Sequence, residues 1–79
     1  MQIRYFAGAA EAAGVESEER PAVAVTAAAL VADLGADRER LAKVLAISTL
    51  LVDGRPCHEP DAVVPAGALV DVLPPFAGG

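Results

Sequence analysis

Leu30, Leu34, Leu41 and Leu45 are spaced by four, seven and four residues, and that spacing constrains this chain more than any other feature. It describes one apolar face of a helix, set between segments rich in β-favouring residues. Thr26 stands where a hydroxyl would cap the first turn. Gly35 interrupts the run and Asp37 could cap a second segment, so the pattern predicts a kinked helix or two consecutive ones. Asp33, Arg38, Arg40 and Lys43 would then face water. A single helical layer needs a sheet to bury its leucines. The expected fold class is therefore α+β, with the helix laid across one face of a mixed sheet.

Strands are expected on both sides of that helix. Gln2 to Phe6 alternates, with Ile3 and Tyr5 on one face and Gln2 and Arg4 on the other. Ala7 to Gly14 reads as a loop or one helical turn, and Glu16 to Arg20 as a polar turn. Ala22 to Val25 reads as a second strand, paired with the first as a hairpin. Leu50 to Val52, the Asp53-Gly54 turn and Arg55 to His58 form a second hairpin, and Pro56 confines the return strand to an edge. Val64-Pro65-Ala66-Gly67 fits a type I turn before a last strand, Ala68 to Leu73. That strand is apolar except for Asp71, which marks it as central. Asp71 itself is expected to be exposed on the open sheet face.

Composition narrows what such a domain can do. The 79 residues suit one domain, 1–79, and 18 of them are alanine, which leaves 25 larger apolar residues for the core. The net charge of −5 comes without a cluster of lysine or arginine, so nucleic acid is excluded as a partner. The longest nearly apolar run, Ala22 to Ala32, is far shorter than the roughly 20 residues of a membrane span, which excludes a membrane partner. The opening Met1 to Phe6 lacks the apolar stretch of a signal peptide, so a cytoplasmic protein is expected. One cysteine permits no internal disulfide and no four-cysteine zinc site. In Cys57-His58-Glu59, neighbours on an extended chain point to opposite faces, so a surface or half-buried loop is the expectation, with no metal and no bound cofactor.

The last six residues, Pro74-Pro75-Phe76-Ala77-Gly78-Gly79, carry the chemistry. Two prolines stiffen the start and lack N–H donors, so the segment leaves the sheet. Phe76 and Ala77 are apolar where chain ends are ordinarily polar. Gly78 and Gly79 would let a terminal carboxylate enter a slot little wider than the backbone. A carboxylate ionised at neutral pH is a poor acyl donor. Adenylation by ATP would activate it, and sulfur displacing AMP would leave a thiocarboxylate. From the residues alone, this carrier reading and an inert glycine end both stand.

The chain resembles the ubiquitin-like sulfur carriers, and within them the small subunits of molybdopterin synthase. The resemblance rests on Tyr5-Phe6-Ala7, Glu11-Ala12-Ala13-Gly14, Thr26 with Leu30 and Leu34, Leu51-Val52-Asp53-Gly54, and Leu73-Pro74-Pro75-Phe76-Ala77-Gly78-Gly79. It departs from that pattern at Ala10, at Ala68-Leu69 and at Asp53. The resemblance implies a β-grasp fold, four to five strands with the first and last parallel at the centre. It implies that Gly79, with Gly78, is adenylated by an enzyme similar to ubiquitin-activating enzymes and receives sulfur from a sulfurtransferase or cysteine desulfurase. The thiocarboxylate would then insert into the large synthase subunit, in a heterotetramer, and supply sulfur to cyclic pyranopterin monophosphate for the molybdopterin dithiolene. On this reading the chain is not an enzyme alone. Phe6, Leu73, Pro74, Pro75, Phe76 and Ala77 are the expected partner contacts. The alternatives are a carrier for thiamine or cysteine biosynthesis, and a β-grasp interaction module without carrier chemistry.

Overall fold

The computed structural model describes residues 1–75. Alternation makes Gln2–Tyr5 the first strand, β1, with Ile3 and Tyr5 buried and Gln2 and Arg4 exposed. The chain turns through Ala7 into α1 (Gly8–Ala13), which closes at Gly14 in the left-handed conformation. This is a longer helix than the expected single turn, anchored by fully buried Ala9. The stretch read as a polar turn contains a strand, β2 (Ser17–Glu19), and it is β2 that pairs antiparallel with β1. An edge strand uses its backbone for pairing and tolerates charged side chains, which is why apolar patterning missed it. Of the second strand expected at Ala22 to Val25, only Val25 is used. It opens β3 (Val25–Thr26), whose partner is β6 (Val63–Val64) in a separate two-stranded ribbon.

The leucine face divides into α2 (Ala27–Gly35) and α3 (Glu39–Ile47), two consecutive helices. Thr26 caps α2 as expected, its Oγ1 accepting from the Ala29 N–H at 3.1 Å. Asp37 caps nothing: it takes a positive φ of 59° in the connection, and Arg38 occupies the N-cap position of α3 without a side-chain bond there. Leu30, Leu34, Leu41 and Leu45 are all buried. They pack with Ile3, Tyr5, Leu50, Val70 and Val72 into one core.

After α3 come β4 (Thr49–Val52) and β5 (Arg55–Cys57), joined by Asp53 and Gly54 at φ 50° and 82°. Two positive φ values are what a type I′ turn requires. The next turn runs one residue later than expected, with the Ala68 N–H donating to the Pro65 carbonyl. β7 (Leu69–Leu73) then enters the middle of the sheet, whose order is β2-β1-β7-β4-β5. β7 is parallel to β1 and antiparallel to β4. Pro56 sits on the β5 edge, as its missing N–H demands. The result is an α+β, β-grasp arrangement with a five-stranded mixed sheet. Among the described residues no helix is long and apolar enough to cross a membrane.

Candidate functional site at the root of the last segment

β7 delivers the last segment from the centre of the sheet. Because β1 runs parallel beside it, both strands finish at the same end, and the Phe6 N–H donates to the Val72 carbonyl at 3.2 Å. Phe6 is thereby held next to the exit of the chain, with its ring partly exposed. Leu73, paired in register with Thr49, and Pro74 are half-buried, and Pro75 is exposed. The structure thus brings Phe6 and Leu73 to one end of the sheet. The other expected site residues, Phe76, Ala77, Gly78 and Gly79, lie outside the described residues.

Immediately after Phe6, Ala7 adopts φ 48° and ψ −126°, a backbone region that glycine alone enters without strain. A depression of about 430 Å³ lies beside it, lined by Arg4, Phe6, Ala7, Ala10, Glu16 and Ser17. Arg4 and Asp71, neighbours in the β1–β7 register, form a two-point ion pair with N–O distances of 2.6 and 2.9 Å. Asp71 is therefore not exposed as expected: it is buried, at 8% accessibility, beneath its partner. The Arg4 guanidinium also lies over the Phe6 ring, 5.7 Å from its centroid.

On the opposite face, Glu18 of β2 accepts two hydrogen bonds from Arg38, both at 3.0 Å. Arg38 is half-buried and paired, correcting its expected place in water. Its guanidinium holds the Glu18 carboxyl below the usual range. Burial raises the phenol of neighbouring Tyr5 above its ordinary value. Apolar periodicity carries no signal for such a pair, which joins a sheet edge to a helix start. Cys57 is half-buried, while His58 and Glu59 are exposed, and among the described residues no group of histidine, cysteine and acidic side chains is placed to hold a metal ion.

Two solved structures share this architecture. A Pyrococcus furiosus protein, described provisionally as molybdopterin converting factor, subunit 1, superposes with a TM-score of 0.78 at 25% identity, covering 95% of each chain. The solution structure of the Haloferax volcanii HVO 2177 protein gives a TM-score of 0.73 at 26% identity, over 99% of this chain and 84% of the other. No curated protein shows significant sequence similarity. The sequence profile of the ThiS family matches residues 3–79, nearly the whole chain and including the final glycines. The chain belongs to the ThiS family and has the fold of its ubiquitin-like sulfur carriers.

Proposed function

We propose that this protein is the sulfur-carrying small subunit of a molybdopterin synthase. The reading rests on one observation above the rest: the glycine-terminated segment follows directly on the central strand β7, beside Phe6, in a fold close to that of a molybdopterin converting factor subunit. The chemistry follows from the residue types. The Gly79 carboxylate attacks the α-phosphate of ATP in the site of an adenylating enzyme, releasing pyrophosphate and forming an acyl-adenylate. The persulfide of a sulfurtransferase or desulfurase displaces AMP to give an acyl disulfide, and a thiol then cleaves its S–S bond, leaving the thiocarboxylate and a disulfide. Gly78 and Gly79, lacking side chains, pass through narrow slots in both the loading and the consuming enzyme. Phe6, Leu73, Pro74, Pro75, Phe76 and Ala77 hold the large subunit. There the thiocarboxylate delivers sulfur to cyclic pyranopterin monophosphate. No resident cofactor is required on this chain, and the complex rather than the carrier is the enzyme, working in the cytoplasm.

The test is the intact mass of the protein from its own host, beside a control lacking Gly79. Replacement of one terminal oxygen by sulfur, absent from the control, is the expected result. A carboxylate that stays unmodified with the host's adenylating enzyme, sulfur donor and ATP present overturns the carrier reading. Sulfur transfer to thiazole synthase, but not to a large synthase subunit with its pterin substrate, would move the protein to the thiamine pathway.

A further inference from the structure

The face of the sheet turned away from the helices carries a charge pair at its centre. Register places Ser17, Arg4, Asp71, Leu51 and Pro56 in one row across all five strands. Leu69 and Leu73 flank that row along β7, half-buried as Leu51 is, and Phe6 extends β1 beyond Arg4. An ion pair here adds little to stability, because an apolar pair of similar volume would serve about as well or better. Its presence needs a different reason.

The geometry of Arg4 supplies one. Asp71 takes one edge of the guanidinium, through Nε and Nη2. The Arg4 Cζ lies over the Phe6 ring, 5.7 Å from its centroid. A guanidinium has five N–H donors, and this arrangement leaves those of Nη1 and the second of Nη2 without an acceptor among the described residues. The side chain is 44% exposed, whereas that of Asp71 is 11% exposed. Asp71 is thus a positioning residue, and the free donors of Arg4 lie between the leucines of β7 and β4 on one side and the polar Gln2, Glu16 and Ser17 on the other. A docking protein that covered this edge with apolar atoms alone would leave buried donors unpaired, at substantial cost. A cationic group opposite would be repelled, and a carboxylate would add a net charge to a pair that is already neutral.

We propose that Arg4 is a specificity determinant of the docking face, and that the large subunit covering this face carries a neutral hydrogen-bond acceptor, a backbone or amide carbonyl, opposite Arg4. The inference rests on the carrier reading and names what its partner must present. A stable subunit is the occupant that fits, because permanent interfaces are more apolar than transient ones and the Arg4–Asp71 pair brings no net charge to this one.

The experiment measures affinity of the wild type, Arg4→Lys and the double variant Arg4→Met/Asp71→Leu for the large subunit encoded in the same genome. Melting curves and sulfur loading are followed in parallel. The double variant should melt as the wild type does and load sulfur normally, yet bind the large subunit about tenfold to a hundredfold more weakly. Arg4→Lys keeps the charge but loses the fork of donors, and should also bind at least about tenfold more weakly. Unchanged or tighter binding by both variants would show a merely structural pair and overturn the proposal. Should the double variant fail to fold, Arg4→Lys decides alone. Weakening that follows a partner carboxylate, abolished by its change to the amide, would also overturn it, since the acceptor would then be charged. Failure of the wild type itself to load sulfur would count against the carrier reading, and is scored separately.

Discussion

Asp53 and Leu69 exchange two hydrogen bonds: the Asp53 N–H donates to the Leu69 carbonyl at 2.8 Å, and Asp53 Oδ1 accepts from the Leu69 N–H at 2.9 Å. The β4–β5 turn is thereby fastened to the start of β7, the strand that leads to the final glycines. Asp53 also holds a φ of 50°, which aspartate and asparagine tolerate better than other side-chain-bearing residues. Asp53→Asn keeps both the acceptor and the tolerance, so its stability should stay within about 0.5 kcal/mol of the wild type. Asp53→Ala loses both and should cost about 1–2 kcal/mol in urea unfolding. Equal midpoints for the alanine and asparagine variants would show that the side-chain bond contributes nothing.

Gly35 of α2 packs against Ala42 of α3. A Cβ built there would lie 3.0 Å from the Ala42 Cβ and 3.1 Å from its Cα. The second neighbour is backbone and cannot rotate away. The better helix propensity of alanine, worth up to about 1 kcal/mol, is therefore outweighed by the overlap. Gly35→Ala should destabilise by about 1–2 kcal/mol net. Adding Ala42→Gly should recover part of that loss. A Gly35→Ala variant more stable than the wild type would mean that the helices separate freely.

Glu18 and Arg38 make stability sensitive to acid. Arg38 lowers the Glu18 pKa below its ordinary 4.5, outweighing the opposing effect of burial. A carboxyl with a depressed folded-state pKa contributes its full stabilisation above the unfolded value. That contribution is lost as pH falls through the folded value. Melting temperature should therefore decline below about pH 4.5, the unfolded value. Glu18→Gln should flatten this decline and remove about 1 kcal/mol at neutral pH. An acid limb unchanged in Glu18→Gln would assign the loss to other carboxylates.

Much of this architecture was readable because burial imposes periodicity. Leu30, Leu34, Leu41 and Leu45 declared the helical face, Thr26 its cap and Asp53-Gly54 its hairpin turn, each through a local requirement. β2 was not readable that way, since Ser17–Glu19 earns its place through backbone pairing at an edge. Asp37 looked like a cap by residue type, but the chain uses it at a positive φ in the connection between the helices. The Arg4–Asp71 pair needed two facts together: the polar side of β1, visible in the alternation, and the parallel β1–β7 register, which links residues 67 positions apart. For the candidate site, Phe6 and Leu73 do come to one end of the sheet. Arg4 was missed because an exposed arginine on a strand looks like ordinary solvation until its partner is placed.

Ala7 offers the last prediction, because its backbone is costly where it stands. At φ 48° and ψ −126° it connects β1 to α1 in a conformation that strains any residue with a Cβ, by about 1–3 kcal/mol. Glycine relieves that strain but adds freedom to the unfolded chain, which returns about 0.4–1 kcal/mol. Ala7→Gly should therefore stabilise by about 1 kcal/mol. Ala7→Val should destabilise more than a surface substitution does, since a branched Cβ fits this region worst. Differential scanning calorimetry of the three proteins checks the order glycine, alanine, valine. If the same conformation orients Phe6 for docking, Ala7→Gly should also weaken large-subunit binding while raising the melting temperature. A variant that gains stability and binds unchanged would confine the strain to the connection itself.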